Sequence, residues 1–328
     1  MRVFINGLGR IGRSVLRAWL LERAAGGPRW QGLEIVGLND IAAPDICAYL
    51  FEYDSVFGPW KGSVEQRADA LVIDGHVLAL SRVDDLRKLD LSGVDVVLEC
   101  TGRAVTPAIA GQGLAAGAGR VLISGPSPAA DLTLVMGAND AALKDQLIVS
   151  NASCTTNALA PLAKVLHAQF GIVSGTMTTI HCYTGSQPTV DAPHGDFARS
   201  RAAALSMVPT TTSAGQLVDA VLPEIAGRIL AQAVRVPTAS VSAVDLAVML
   251  ERPASAEAVN DALSRAGGVI GVTPKPLVSS DLRARPESIV MALPETRVAA
   301  GGLVRVFGWY DNEWGFSNRM LDVACLMG

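Results

Sequence analysis

The chain opens on an apolar run, Val3-Phe4-Ile5, and passes directly into Gly7-Leu8-Gly9-Arg10-Ile11-Gly12. Apolar residues then recur at helical spacing through Val15, Leu16, Trp19 and Leu20, which predicts a strand, a tight turn and a helix. A second strand, Leu33–Leu38, ends in Asn39-Asp40. Residues 69–73 and 76–80 alternate about Asp74-Gly75 and predict a hairpin. Val94–Glu99 is a fully buried strand, followed by an Ala/Gly-rich helix near Pro107 to Gly117. Further strands are expected at Val121–Ser124, Leu132–Met136 and Leu147–Val149. Strands alternating with helices predict an α/β fold built on a doubly wound parallel sheet.

The second half has a different rhythm. An apolar helical run (Ala158, Leu159, Leu162, Val165, Leu166) follows Cys154, and Gly171–Thr179 reads as a strand. Val241–Leu250 alternates strictly enough for a half-buried strand. With Ile229–Val236 and Leu303–Tyr310 it suggests a mixed, mainly antiparallel sheet, with a helix over Ser255–Arg265 on its outside. Gly185–Met207 has little periodicity and many turn formers, and so long a loop in a compact domain is usually functional. An amphipathic helix from Trp314 to Cys325 closes the chain and is expected to return to the first domain. The boundaries are then 1–152 plus 314–328 for one domain and 153–313 for the other, which suits a chain of 328 residues.

Composition narrows the classes. Apolar residues make up 50% and charged residues 18%, a globular balance without a disorder signature. A net charge of −4 gives no electrostatic case for nucleic acid or an anionic membrane, so any anionic ligand must be bound by helix ends and individual arginines. Five scattered cysteines without metal spacing read as reduced thiols in a cytoplasmic protein with no metal centre. Met1–Gly7 enters a strand without a signal-peptide core, and no run approaches the ~18 apolar residues of a spanning helix.

The glycine turn lies in the context that G-x-G-x-x-G requires. Gly7 makes the tight turn, Gly9 lets a pyrophosphate approach the backbone, and Gly12 lets helix pack on strand. Asp40 is placed to accept hydrogen bonds from an adenosine ribose and to repel a 2′-phosphate, which favours NAD over NADP. A simple strand-end acid is the alternative. Ligands of such sheets sit at the carboxyl ends of the strands, where Gly7, Asp40, Thr101 and Ser124 would gather.

Ser150-Asn151-Ala152-Ser153-Cys154-Thr155-Thr156-Asn157 carries the candidate chemistry. A cysteine at a strand-to-helix turn faces free backbone N–H groups and the positive end of the helix dipole, so its pKa is expected to fall. Ser153 and Thr155 could help to hold an anion there. His181 lies 27 residues on, one helix out and one strand back, so that Cys154 and His181 can meet. On a dinucleotide domain such a pair suggests thiolate attack on an aldehyde, hydride transfer to NAD and a thioester, with the histidine lowering the thiol pKa and acting as base. Arg199 and Arg201 in the long loop could point at a phosphate. Thr210 to Ser213 offer four consecutive hydroxyls before a helix beginning near Gly215. Arg235 is a lone charge in an apolar strand and needs either a salt-bridge partner or a substrate phosphate.

Taken together, these residues resemble the phosphorylating glyceraldehyde-3-phosphate dehydrogenase family over essentially the whole chain. The most specific pieces are Ser150–Asn157, Arg235-Val236-Pro237-Thr238 and Trp309-Tyr310-Asp311-Asn312-Glu313. The resemblance implies a Rossmann domain, a catalytic domain, a homotetramer, and oxidative phosphorylation of glyceraldehyde 3-phosphate to 1,3-bisphosphoglycerate. It implies Cys154 as nucleophile and His181 as base. Asn6, Gly7, Arg10, Ile11, Asp40, Thr101, Ser124 and Asn312 are its implied NAD contacts, Asn312 fixing the carboxamide. Thr184 and Arg235 resemble the substrate-phosphate site, and Ser153, Thr155, Arg199 and Thr212 the site of inorganic phosphate.

The chain departs from the family pattern at Ser186, where an acid is frequent, at Ser213, where glycine is common, and at Phe316, where tyrosine is usual. Asp191-Ala192-Pro193 combines features of dual-cofactor and NAD-only members, so NAD with weaker NADP use is expected. The competing readings are an erythrose-4-phosphate dehydrogenase and a homologue that keeps the fold for binding or regulation without catalysis.

Overall fold

Val3 and Ile5 have no exposed surface, and their strand, Arg2–Asn6, is hydrogen-bonded in parallel on both sides, to Glu34–Asn39 and to Val96–Glu99. A strand covered on both faces needs a near-continuous apolar run, and Val96-Val97-Leu98, all fully buried, has one. The computed structural model describes residues 1–328 as two units. The first comprises Met1–Leu134, Ala141–Ala152 and Ser317–Gly328. Its nine-stranded sheet has the order Val64–Arg67, Ala70–Ile73, His76–Ser81, Glu34–Asn39, Arg2–Asn6, Val96–Glu99, Arg120–Ile123, Ile148–Ser150, Leu132–Thr133. All pairings are parallel except those at the Val64–Arg67 and Ala70–Ile73 edge.

The hairpin turns as expected about Asp74 (φ 49°) and Gly75 (φ 82°), both left-handed as a two-residue turn of matching twist requires. Two expectations change. The strand foreseen over Leu132–Met136 shrinks to Leu132–Thr133, because Val135–Asp140 belongs to the second unit. The helix foreseen near Pro107 to Gly117 breaks at Gly111 into Pro107–Ala110 and Gln112–Ala115. Glycine is a poor helix former, and Gly113 is retained because a side chain there would press on Val97 and Val121 at 3.1 Å.

The closing helix, Trp314–Met327, buries Met320, Leu321, Val323 and Ala324 completely. Its residues from Ser317 on cluster with the first unit, where Asp322 accepts hydrogen bonds from Arg29 and from Trp30 Nε1.

The second unit comprises Val135–Asp140 and Ser153–Phe316. Its sheet is mixed and mainly antiparallel, in the order Val208–Thr210, Ile229–Val236, Ile172–Cys182, Ser242–Leu250, Leu303–Tyr310, Ile289–Ala292, Ile270–Thr273, with Arg297–Val298 on the side of Leu303–Tyr310. Helix Cys154–Phe170 is apolar on nearly every side, and Ala158–Ala163 lie in the core. It ends at Gly171 (φ 71°), where a left-handed residue closes the last turn. The following strand, Ile172–Cys182, runs three residues beyond the foreseen Thr179. That extension sets His181 opposite Arg235 in parallel register. Helix Ala256–Ala266 starts at Ser255, whose side chain accepts from the Ala258 amide.

Two buried non-glycine residues adopt left-handed backbone next to the candidate chemistry. Ala152 (φ 54°) precedes Ser153-Cys154, and Val241 (φ 65°) precedes Ser242. A β-branched residue there is strained, and such strain is retained where surrounding packing imposes it.

The glycine turn yields a test. A Cβ on Gly12 would lie 1.9 Å from the Gly7 carbonyl oxygen, whereas one on Gly9 meets nothing within 4 Å. Gly12→Ala should lower stability by about 1–3 kcal/mol, the usual cost of overpacking, in urea unfolding. Gly9→Ala should leave stability within about 0.5 kcal/mol.

Candidate active site

Cys154 is the first residue of its helix. Ser153 precedes it in extended backbone, with a side chain that accepts from the Thr156 amide at 3.0 Å and pairs with the Thr156 hydroxyl at 2.7 Å. Cys154 is half-buried, and its Sγ lies 3.6 Å from His181 Nε2. His181 is buried at 5% exposure. Its Nδ1 stands 2.7 Å from the Cys182 carbonyl oxygen, and Arg235 Nη1 stands 2.9 Å from that oxygen and 2.9 Å from Nδ1 itself. A carbonyl can only accept and a guanidinium can only donate. The arrangement that suits the shortest contact has Nδ1–H and Nη1–H both donating to that one oxygen. Nε2 then keeps its lone pair toward the sulfur.

The electrostatics agree. Burial, reinforced by the Arg235 charge, holds the His181 imidazolium down to about 4, only partly offset by the Cys182 carbonyl. The imidazole is therefore neutral at pH 7. Burial pushes the Cys154 thiol above its ordinary value, against the Arg235 charge, the Thr155 hydroxyl and amide, and its own amide. This corrects the expectation from the helix end alone, because desolvation outweighs the dipole and the N–H groups. It also corrects the source of the downward pull, which is the Arg235 cation and not His181. The resting pair is a neutral thiol facing a neutral base.

Around that pair the second unit supplies polar groups that sequence reasoning did not single out. Tyr310, 2% exposed, places its hydroxyl 2.9 Å from Thr155 Oγ1 and 2.8 Å from Thr179 Oγ1, and its ring lies edge-on to His181. The strict in–out alternation of Leu303–Tyr310 points Tyr310 inward, which was the available signal. Cys182 donates from Sγ to Asn312 Oδ1 at 3.1 Å, and Ser242 donates to the same oxygen at 3.3 Å. Burial pushes the Cys182 thiol up to about 12, so it stays protonated and acts as a packed donor rather than a nucleophile.

Within the first unit the carboxyl ends of the strands border an open cleft lined by Asn6, Gly7, Gly9, Asp40, Glu99 and Thr101 among others. Gly7 (φ 97°) leaves no room for a side chain, since a Cβ would lie 2.9 Å from the Cys100–Thr101 peptide. Asp40 accepts from the Leu8 amide at 2.6 Å and from the Ala42 amide at 2.9 Å. The open space above Gly9 and the acid at the end of the second strand fit a dinucleotide.

Residues 1–107 match a family model described as the NAD binding domain of glyceraldehyde 3-phosphate dehydrogenase, and residues 153–312 match its C-terminal domain. The chain belongs to the glyceraldehyde-3-phosphate dehydrogenase family. It is 46% identical over its full length to the glyceraldehyde-3-phosphate dehydrogenase of Xanthobacter flavus, and likewise to that of Cereibacter sphaeroides, covering 98% of each. Glyceraldehyde-3-phosphate dehydrogenase 1 of Bacillus subtilis is 44% identical over 99% of this chain and 97% of its own. Membership in this family makes the chain an oxidoreductase.

The residues that resemble other family sites are distributed unevenly. Arg235 meets no carboxylate; its Nη1 also approaches Thr184 Oγ1 at 3.4 Å, and Thr184 pairs with Ser186 at 3.0 Å. Arg199 forms a separate group, donating to the hydroxyls of Thr210 at 2.6 Å and Thr211 at 2.9 Å. Thr212 accepts from the Ala214 amide, and Ser213 stands at the start of helix Ala214–Val221 without a side-chain cap. No hydrogen bond joins this group to Cys154. Arg201, offered as a phosphate ligand, instead pairs with Asp191 at 2.8 Å on the surface, because that acid lies across the same loop. In the first unit Arg10 is ion-paired with Asp54, Ile11 is half-buried, and the Ser124 amide donates to the Glu99 carbonyl at 3.0 Å. Phe316 is buried at 5% exposure.

The His181 shift has a definite sign. The folded value, about 4, lies below the ordinary 6.5, so the unfolded chain takes up this proton first as pH falls. The stability that a neutral His181 contributes is complete above pH 6.5 and is lost as pH falls toward about 4. His181→Gln removes this dependence. Between about pH 7 and about pH 5 its denaturation midpoint should fall less than that of the wild type, and equal slopes would place the titration elsewhere.

Proposed function

We propose that this chain catalyses the reversible, NAD-dependent oxidative phosphorylation of D-glyceraldehyde 3-phosphate to 1,3-bisphosphoglycerate. The observation that carries the reading is the Cys154 sulfur 3.6 Å from an imidazole nitrogen whose partner nitrogen is tied to a carbonyl. Asn6, Gly7, Gly9, Arg10, Ile11, Gly12, Asp40, Thr101 and Ser124 would hold the dinucleotide, with Asn312 offering its amide nitrogen to the carboxamide. Bound NAD supplies a hydride acceptor.

His181 Nε2 takes the thiol proton of Cys154, and the sulfur adds to the aldehyde carbon. The imidazolium returns the proton to the new alkoxide, which gives a hemithioacetal. As hydride leaves that carbon, His181 takes the hydroxyl proton and a thioester remains. Inorganic phosphate then adds to the thioester carbonyl, and the Cys154 sulfur departs as thiolate with release of the acyl phosphate. A base that stays neutral down to about pH 4 is available for each proton transfer.

Arg235 and Thr184, with Ser186 in place of an acid, suit the phosphate of the substrate. Arg235 reaches the site with no carboxylate to neutralise it. Ser153, Thr155, Arg199, Thr212 and Ser213 suit the attacking phosphate. Asp40 disfavours a 2′-phosphate, so NAD is preferred and NADP use is weaker. A homotetramer in the cytoplasm fits the family resemblance and the five free cysteines.

Steady-state rates of NADH formation test the reading. Activity is expected with glyceraldehyde 3-phosphate, NAD and phosphate, lower efficiency with NADP, and complete loss in Cys154→Ala. His181→Gln should lower the rate by about 10²–10⁴-fold, the usual contribution of a general base. Faster turnover of erythrose 4-phosphate without phosphate would assign the rival activity. An inactive wild type that still binds NAD would assign a silent homologue, and equal efficiency with both cofactors would overturn the NAD preference.

A further inference from the structure

Cys182 is a buried thiol that the proposed chemistry does not use. It closes strand Ile172–Cys182 at 1% exposure. Ser242, also at 1%, opens the adjacent strand Ser242–Leu250, and Asn312, at 6%, follows the next strand, Leu303–Tyr310, after Asp311. The three side chains meet. Cys182 Sγ lies 3.1 Å from Asn312 Oδ1, Ser242 Oγ lies 3.3 Å from the same oxygen, and the Cys182 amide donates to Ser242 Oγ at 3.1 Å. Val241, just before Ser242, is held in left-handed backbone (φ 65°), which is strained for a β-branched residue. Strain of this kind concentrates where side chains are held for function.

Proton accounting fixes which way the Asn312 amide faces. Ser242 Oγ already accepts from the Cys182 amide, so its own proton needs an acceptor, and Asn312 Oδ1 is within reach. The thiol proton has the same need and meets the same oxygen. Turning the amide over would bring Nδ2 to both groups and leave two buried protons without acceptors, which is costly. Oδ1 therefore stays toward Cys182 and Ser242. Nδ2 lies on the other edge of the amide, has no partner within the protein, and keeps both hydrogens for a ligand.

We propose that Cys182 is a positioning residue for the dinucleotide: its thiol donates to Asn312 Oδ1 and, with the Ser242 hydroxyl, holds the Asn312 amide so that Nδ2 is presented to the nicotinamide carboxamide. The carboxamide carbonyl is an acceptor that an amide N–H suits. Cys182 touches neither cofactor nor substrate in this role. The inference rests on the proposed NAD reading and deepens it, since it names what keeps Asn312 ready before the cofactor arrives. A group already oriented loses less freedom on binding, so loosening it appears as lost affinity. Burial pushes the Cys182 thiol up to about 12, so the donor keeps its proton through the neutral range.

Titration calorimetry of the full chain with NAD and with ADP-ribose, which lacks the nicotinamide, tests this without catalysis. Cys182→Ala and Cys182→Val both remove the thiol proton, the second while filling the space. Each should weaken NAD binding about three- to fivefold, the worth of one modest hydrogen bond. ADP-ribose should bind each variant as it binds the wild type. Cys182→Ser keeps a donor and should restore the wild-type affinity for NAD. In an Asn312→Ala background, where NAD is already weakened, Cys182→Ala should change nothing further.

Equal weakening of NAD and ADP-ribose reports a general disturbance and overturns the proposal. Unchanged NAD affinity in both Cys182→Ala and Cys182→Val overturns it too, as does an effect that persists without Asn312. A wild type that binds no NAD, or an Asn312→Ala variant that binds it normally, removes the cofactor reading and this inference with it. Wild-type NAD binding that is indifferent to Cys182 removes this inference alone.

Discussion

One peptide carbonyl, that of Cys182, holds the candidate active site together. It receives the Nδ1 proton of His181 at 2.7 Å and a guanidinium proton of Arg235 at 2.9 Å. The first contact decides which imidazole nitrogen is left basic, and the second brings a cation to the same point. Both follow from parallel pairing of Ile172–Cys182 with Ile229–Val236, which sets His181 and Arg235 side by side. Burial first, and then the proximity of that cation, keep the imidazole from a second proton, while on the thiol the same cation only partly offsets the rise that burial imposes. A single charge thus lowers the proton affinity of base and nucleophile alike, favouring loss of the thiol proton while disfavouring its acceptance by the imidazole.

Holding this geometry costs the protein something at each border of the site. Arg235 has no carboxylate partner, and its cation is met by the Cys182 carbonyl, the Thr184 hydroxyl and the imidazole edge of His181. Ala152 and Val241 take left-handed backbone immediately before Cys154's cap and before Ser242. Neither conformation would persist without the packing around it, and both residues are buried. The helix that begins at Cys154 is embedded in the core over Ala158–Ala163, so its N-terminus cannot drift away from the strand that carries His181. Rigidity here comes from burial, and burial is also what raises the thiol. The polar groups near the sulfur offset a penalty that the same packing creates.

Much of this was legible in the chain, and what was not has identifiable causes. The glycine turn was readable because Gly7, Gly9 and Gly12 obey separate steric demands at fixed spacing, and structure bears these out at Gly7 and Gly12. The meeting of Cys154 and His181 was readable because one helix and one returning strand span a predictable length. The sign of the Cys154 shift was not, since it depends on how desolvation compares with local donors, and that balance exists only after packing. Tyr310, Thr179 and Ser242 were invisible as a group because three strands and a helix bring together residues far apart in sequence. Arg201 misled because nothing in a loop without periodicity says that Asp191 lies opposite. The Leu132–Met136 strand was overread because apolar β-branched residues serve equally to enter a second unit.

The first unit shows the same logic with carboxylates in place of a guanidinium. At the carboxyl edge of its sheet Ser81 bonds Asn39, Asn39 bonds Asn6, and Asn6 bonds Glu99, so that four neighbouring strand ends are tied by side chains as well as by backbone. Glu99 also receives the Thr101 amide at 2.9 Å, which fixes the loop after its strand against the Gly7 turn. Asp40 is engaged in the same manner, with one oxygen on the Leu8 amide and the other on the Ala42 amide. An ionised carboxylate has about four acceptor positions, so these two bonds orient it and still leave capacity for sugar hydroxyls. On the proposed reading with NAD, the hydroxyls of an adenosine ribose are what those remaining acceptor positions would receive.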